Sequence, residues 1–243
     1  MKIVAIIPAR YASSRFPGKP LVDIYGKPMI WWVYNRVKQS KKIDEVYVAT
    51  DDKRIEKTCK EYGMNVVMTS SDIKTSTERL YEVAKKVESD LYICVNGDEP
   101  LVDYKIVEKI IPSSYEKNGI FVSNLMTKIK TSPAVVDFTN IKVVTDKRDM
   151  ALFFSRSPIP YPKSSLDYDY YKHIGILIYN YKALEFFATT KRGKLEDIED
   201  VNEIRFLENG IPIKMVKVDA ETLSVDTPKD LEEVKKVMKN EKK

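Results

Sequence analysis

Histidine is almost absent from this 243-residue chain: His173 stands alone, beside two cysteines, Cys59 and Cys94. That count leaves no room for a metal centre built on clustered His and Cys, and the two cysteines lack metal-like spacing. No signal-peptide pattern opens the chain, so a disulfide is not expected. Cys59 in a helical stretch and Cys94 in the strand LYICVN read as packing residues. No apolar run approaches the length needed to cross a bilayer, and no G-x-x-x-x-G-K-[ST] phosphate loop occurs. Excess charge is also slight, with 41 Lys and Arg against 36 Asp and Glu. Lysines alternate with glutamates in KRIEKTCKEY and LEEVKKVMKNEKK, the pattern of a solvated helix face with a basic tail, so nucleic acid is not the expected partner. What these absences leave is a cytoplasmic, globular protein with no membrane insertion, long enough to bury a substantial core.

What is present is a strong alternation of elements. Apolar, β-branched runs are followed by helical patterns throughout the first half: Lys2–Pro8 then Met29–Lys38, Glu45–Thr50 then Lys53–Tyr62, Asn65–Met68 then Thr75–Val87, Leu91–Asn96 then Tyr104–Lys117. This spacing predicts parallel βαβ units with right-handed crossovers, hence an α/β fold with a doubly wound, mostly parallel sheet. The second half differs. Strand-like runs at Ile120–Met126, Ile141–Thr145, Ala151–Ser155 and Ile174–Tyr179 lack a helix between each pair, which predicts a smaller mixed β excursion. The segment SRSPIPYPKSSLDYDYYK is too polar and too Pro-broken for strand or helix and is expected to be a long functional loop. Helical patterns return at Lys182–Thr189, Ile198–Glu208 and Lys229–Lys239, around a strand at Pro212–Val218. No repeat or linker separates the halves, so residues 1–243 are expected to form one continuous domain.

The stretch PARYASSRFPGKPL, Pro8–Leu21, directly follows the first strand and sets Arg10, Arg15 and Lys19 among small or turn-forming Ser13, Ser14, Pro17 and Gly18. A polyphosphate needs several positive donors converging on one place, and a backbone that can approach closely, which Gly18 permits. Loops leaving the carboxyl ends of strands are where α/β sheets bind ligands. As spacing alone, three cations and a glycine also describe a solvated loop. Asp98 follows LYICVN in a turn with Gly97, Glu99 and Pro100, where a carboxylate can hold a hard divalent cation over phosphates. Asp226, in SVDTP, stands at a helix start, so N-capping is its other reading. Thr75 and Glu78 have the spacing of a capping box, and the lone His173 in YKHIGI has the profile of a structural histidine.

The pattern A-R-x-x-S-x-R-x-P-G-K-x-L resembles the signature loop of the sugar nucleotidyltransferases that activate acidic sugars with CTP. The closest resemblance is to the CMP-Kdo synthetase (3-deoxy-manno-octulosonate cytidylyltransferase) family. It continues through DIYGKPMIWWVYNRV, VATDD, STERL, NGDEP, FFSRSPIPY, YKHIGI and VDTPKDLE, nearly the whole chain. The resemblance implies attack of a sugar hydroxyl on the α-phosphate of CTP, with pyrophosphate leaving. The product is a CMP-activated 3-deoxy-ulosonic acid, Kdo first among the candidates, for lipopolysaccharide or capsule synthesis. It implies Mg²⁺ on Asp98 and Asp226, catalytic roles for Lys19, Arg10 and Asp98, and nucleotide contacts from Arg10, Arg15, Lys19, Thr75, Ser76, Thr77 and Arg79. Asn96, Arg156, Lys163, His173, Asn202 and Glu203 are implied on the sugar side. Residues 1–118 become the nucleotide-binding half, and 119–243 the half for sugar binding and dimerisation. A homodimer is implied, with its interface sought around Phe153, Phe154 and Tyr161.

The chain departs from the family pattern at Asn96 for Gln, Ser76 for Gly, Lys163 for Arg, Leu177 for Tyr, and Asn202 with Glu203 for a Glu-Gln pair. These changes cluster on the implied sugar side, while the cationic loop and both aspartates are intact. A different acidic sugar, such as an 8-amino relative, is therefore the second expectation, and a non-catalytic nucleotide-sugar binder the third. The last is disfavoured because a binder has no need of both carboxylates.

Overall fold

The computed structural model describes residues 1–12, 15–165, 167–220 and 223–241. Ser13 and Ser14 of the cationic loop, Leu166 of the polar segment and Lys242 and Lys243 of the basic tail lie outside the described residues, as do Glu221 and Thr222. The chain divides into two compact units, one of residues 1–108 with 221–243 and one of residues 109–220.

In the first unit the predicted alternation is realised. Strand β1 (Ile3–Ala9) runs into the cationic loop and a 3-10 turn, Lys19–Leu21, and is followed by a two-stranded hairpin, β2 (Asp23–Ile24) and β3 (Lys27–Pro28). The hairpin was not anticipated from the pattern. It turns at Tyr25 and Gly26, both at positive φ (51° and 79°), as a tight turn between twisted strands requires. Helix α1 (Met29–Val37), β4 (Glu45–Thr50), α2 (Lys53–Glu61), β5 (Val66–Met68), α3 (Ser76–Ala84), β6 (Leu91–Val95) and α4 (Tyr104–Val107) follow.

Strand β1 pairs in parallel with β4 on one side and β6 on the other, and β4 pairs in parallel with β5. Every residue of β6 and nearly all of β1 is buried, which accounts for their unbroken apolar sequence. The chain moves outward from β1 to β4 and β5, then returns to the other side of β1 as β6. Strand order therefore reverses at β1, and ligands bind α/β sheets outside the carboxyl ends of strands at such a point. The helix expected over Tyr104–Lys117 stops early. After α4 only a 3-10 turn continues to Ile110, because Pro112 lacks an amide proton and disfavours helical backbone at the residue before it.

The second unit holds β7 (Val122–Lys128), α5 (Ser132–Val136), β8 (Lys142–Thr145), β9 (Ala151–Ser155), β10 (Tyr171–Tyr179), α6 (Tyr181–Thr189), α7 (Lys194–Glu199), α8 (Ile204–Glu208) and β11 (Lys214–Val218). Strand β10 lies antiparallel to β7 and β8, β8 antiparallel to β9, and β11 parallel to β7: the mixed β excursion, except that the short α5 stands between β7 and β8 where no helix was expected, opened by Pro133 in its first turn. The described residues of the polar segment are irregular as expected, although its first residue, Ser155, belongs to β9 and its last two, Tyr171 and Lys172, to β10. The single helix expected over Ile198–Glu208 is two. Asp200 takes a left-handed conformation (φ 50°), ends α7, and lets α8 begin afresh at Ile204.

The chain then returns to the first unit as α9 (Pro228–Glu241). Val225, Leu231, Val234 and Met238 pack in one buried cluster with Ile24 and Met29. Among the described residues no helix is long and apolar enough to cross a membrane.

Candidate active site

Beyond Ala9 the cationic loop turns back on itself. Gly18 has φ 73°, its amide donates to Tyr11 O at 2.9 Å, and a Cβ there would lie 3.1 Å from the Tyr11 ring. A side chain at position 18 would be strained and would push on this contact. The Arg54 guanidinium lies over the Tyr11 ring, 3.3 Å from its centroid, and Arg54 is held in turn by Asp52 at 2.6 Å. The loop is thus braced from the start of α2, and the next residue after Gly18 is Lys19.

The turn after β6 comes in beside it. A Cβ at Gly97 would meet Pro8 O at 2.8 Å, so only glycine lets the two loops approach this closely. Asp98 follows, and its carbonyl accepts from Val225 N at 2.8 Å, which ties the segment before α9 to the same place. Three elements distant in sequence therefore converge. Lys19 Nζ lies 2.9 Å from Asp98 Oδ2 and 3.1 Å from Asp226 Oδ1, and Arg15 Nη2 reaches the same Asp226 oxygen at 3.1 Å. Burial pulls the Lys19 ammonium towards the neutral form, but Asp98 and then Asp226 outweigh it and hold the pKa above its ordinary value. Arg10, Arg15, Lys19, Gly97, Asp98 and Asp226 line one cavity of about 400 Å³.

The capping alternative for Asp226 is settled by its neighbour. Thr227 N donates to Asp230 Oδ2 at 2.8 Å and Asp230 N to Thr227 Oγ1 at 3.4 Å, so Thr227 and Asp230 close the start of α9. The Asp226 carboxylate is left to the cations. Asp98 Oδ1 is enclosed and has no hydrogen-bond partner among the described residues. An unpartnered buried carboxylate oxygen, beside a second carboxylate already bridged by one cation, suits a hard divalent metal that needs few protein oxygens and keeps water and phosphate as its other ligands. Among the described residues no group of three or more His, Cys, Asp or Glu is placed to hold a metal ion.

A second set of unpaired donors lies on the same loop and on α3. Arg79 is fully buried. Its Nη1 bonds Thr69 Oγ1 and lies 3.5 Å from Asp51 Oδ1, but Nε and Nη2 are enclosed without partners among the described residues, as is Arg10 Nη2. Burial lowers the Arg79 pKa, Asp51 opposes this, and Arg10 adds to it by repulsion. Three guanidinium nitrogens kept dry and unpaired among the described residues are costly unless a ligand rich in acceptors completes them. Thr75 is engaged in α3: its side chain accepts from Glu78 N at 3.2 Å while Glu78 Oε2 takes Thr75 N at 3.0 Å. Thr77 is buried and Ser76 half-buried in the first turn. Asp51 and Thr69 were not singled out in the sequence, although Asp51 lies in the quoted block VATDD.

The sugar-side candidates are placed less uniformly. Arg156 does not present an open fork. Its three guanidinium nitrogens donate to Glu199 O (2.6 Å), Asp200 O (3.0 Å) and Phe138 O (3.2 Å), leaving two of five N–H groups for a ligand. Glu199 grips the same strand end through Ser155 Oγ (2.6 Å) and Arg156 N (2.8 Å). Beneath lies Lys142, unforeseen and fully buried, its ammonium on the carbonyls of Asp137, Asn140 and Arg156. Arg156 is therefore first an anchor.

His173 packs edge-on against Phe154, with Nδ1 enclosed and unpartnered among the described residues. Burial, then Lys172 and Arg156, bring its pKa down to about 4, so it is neutral at neutrality. Glu203 is buried, and burial pushes its carboxyl up to about 7; its own backbone amide pulls the other way, while Glu196 repels it. Asn202 and Asn96 are half-buried, and Lys163 is exposed in the polar segment. Phe154 is core rather than surface, whereas Leu152 and Tyr161 are exposed.

Comparison with known proteins agrees with this geometry. The family profile described as cytidylyltransferase matches residues 4–241. The chain is 42% identical over 240 residues to a 3-deoxy-manno-octulosonate cytidylyltransferase of Escherichia coli, covering 99% of this chain and 97% of that one. It is also 42% identical over 235 residues to an 8-amino-3,8-dideoxy-manno-octulosonate cytidylyltransferase of Shewanella sp. (strain W3-18-1), covering 95% and 96%. A solved structure of a CMP:2-keto-3-deoxy-manno-octonic acid synthetase complexed with CTP superposes with a TM-score of 0.93 at 41% identity, covering 99% of this chain and all of that one.

Proposed function

The chain belongs to the cytidylyltransferase family, and from that premise we propose that it transfers the cytidylyl group of CTP to a hydroxyl of a 3-deoxy-ulosonic acid, Kdo in the first instance, with release of pyrophosphate. The observation that carries this reading is the convergence of Lys19 on Asp98 and Asp226 at the carboxyl ends of β1 and β6. Arg10, Arg15 and Lys19 hold the triphosphate, and Gly18 and Gly97 let the cationic loop close on Tyr11 and the Asp98 turn on Pro8. Arg79, with its spare donors, faces the acceptor-rich edge of the nucleotide. Asp98 and Asp226 would hold Mg²⁺, which supplies neutralisation of phosphate charge and a lowered pKa for an attacking hydroxyl. What remains for the protein is mainly positioning and preorganised charge. A pure binder is disfavoured, since it has no need of both carboxylates.

The curated relatives divide between two sugars at the same identity, and Glu203 offers a buried carboxyl where the family pattern has Gln. A carboxyl there suits an amine, so the 8-amino sugar is the second reading. Under either, the enzyme works in the cytoplasm, serves lipopolysaccharide or capsule synthesis, and is a homodimer. Exposed Val136, Phe138, Leu152 and Tyr161 are the apolar surface that supports a dimer contact in the second unit.

The experiment is pyrophosphate release with each of four nucleotides against Kdo, 8-amino-Kdo and a neutral sugar, with Mg²⁺ present. The expected result is CTP alone, with an acidic sugar. Equal release from ATP or GTP overturns the cytidine assignment, and turnover of the neutral sugar overturns the acidic one.

A further inference from the structure

Lys19 occupies the position that a metal would contest. One ammonium touches Oδ2 of Asp98 and Oδ1 of Asp226, and Arg15 adds a second positive charge to the same Asp226 oxygen. The Lys19 side chain is only 14% exposed, so solvent screens these contacts poorly. Two carboxylates drawn onto one nitrogen repel each other strongly without it. A hard divalent cation needs carboxylate oxygens from this same pair, and its charge would repel the ammonium lodged between them. Lysine is also the cation best able to leave, a compact charge on a flexible four-carbon stem. The cavity beside it, lined by Arg10 and Arg15, gives it somewhere to go once phosphate oxygens are there.

Resting on the metal reading of Asp98 and Asp226, we propose that Lys19 is an internal counter-cation. It keeps the two carboxylates in register and holds their affinity for a divalent metal low until a polyphosphate draws its ammonium away. Metal and nucleotide then load as one unit rather than in either order. By linkage the coupling is reciprocal: the metal raises nucleotide affinity by the same factor.

The test is titration of Mn²⁺ alone, followed by its paramagnetic resonance signal, into the full chain and into Lys19→Met, Lys19→Gln and Asp98→Asn, then repeated with CTP in the absence of sugar. Removing the ammonium is expected to tighten Mn²⁺ binding about tenfold and to shrink the tightening produced by CTP by a similar factor. A residue that only braced the fold would do the reverse, since its loss would scatter the carboxylates and weaken the metal. Two lysine variants are used so that at least one retains a cooperative thermal transition. Unchanged or weaker Mn²⁺ affinity in a folded Lys19 variant, alongside a clear loss in Asp98→Asn, overturns the counter-cation and leaves the metal reading standing. Undiminished Mn²⁺ binding by Asp98→Asn overturns the metal reading, and the counter-cation with it.

Discussion

Arg205 and Glu196 meet in the interior of the second unit through two N–H···O bonds of 2.7 Å each, with the guanidinium 3.7 Å over the Phe187 ring. Both side chains are at most 2% exposed, and the remaining Arg205 nitrogen donates to the carbonyls of Phe187 and Thr190. The pair joins α7 to α8 across the break at Asp200. Arg205→Leu leaves the dry Glu196 carboxylate with only Arg192 Nε, at 3.4 Å, and is expected to cost about 3 kcal/mol. The double variant Arg205→Leu, Glu196→Leu is expected to recover much of that. Urea unfolding of the two variants checks this, and a double variant no more stable than the single one contradicts it.

Asp98→Asn and Asp226→Asn are each expected to lower kcat about a thousandfold, on the order of 4 kcal/mol of transition-state stabilisation, with the fold retained. Thr227→Ala should do the opposite. It removes the cap of α9, costs about 1 kcal/mol of stability, and leaves the rate nearly intact. If Asp226→Asn instead keeps its turnover and loses only thermal stability, Asp226 belongs to the helix and not to the chemistry.

Glu203 carries a dependence on pH that a variant can isolate. Its carboxyl titrates near 7 in the folded chain against an ordinary value of 4.5. Between those values the unfolded chain releases a proton that the folded chain retains, so stability is full below about pH 4.5 and lost as pH rises to 7, by up to about 3 kcal/mol. Glu203→Gln removes this slope and is expected to gain on the wild type at pH 8 but not at pH 4.5. Denaturant midpoints at the two pH values decide it. The same variant reports on the sugar, since loss of the carboxyl should lower kcat/KM for the 8-amino substrate more than for Kdo.

Arg79→Met should separate stability from binding. Two of its nitrogens are buried and unpaired among the described residues, and Asp51 is partly exposed and not stranded by the change. The variant is expected to be as stable as the wild type or about 1 kcal/mol more so, while KM for CTP rises about tenfold or more. Marked destabilisation with an unchanged KM would make Arg79 a structural residue.

Much of the architecture is local and could be read in one dimension. The runs IVAIIP and LYICV announce strands buried on both faces, and T-S-T-E at residues 75–78 announces its own cap. Reading failed where a local pattern carried two outcomes. Residues 198–208 have helical periodicity, yet Asp200 breaks them because Arg156 and Arg192 both reach it, through its carbonyl and its carboxylate. Lys142, set in the apolar run KVVT, looks like a lysine that reaches solvent, and only three inward carbonyls show that it stays buried. Arg156 was legible as a functional arginine, but its commitment to three carbonyls was not.

By itself the sequence determined the strand and helix alternation of the first unit, the parallel pairing of its strands and the residue types at their carboxyl ends. Periodicity, capping and propensity act within a few residues of each other. Only the tertiary structure decided that Asp226 is a partner of Lys19, 207 positions away, and not the cap of its own helix. That outcome depends on burying Val225, Leu231, Val234 and Met238 against Ile24 and Met29, and on Gly97 admitting the Asp98 turn against Pro8. Apolar burial is non-directional and indifferent to sequence separation, so no window along the chain contains the information that brings the two aspartates onto one lysine.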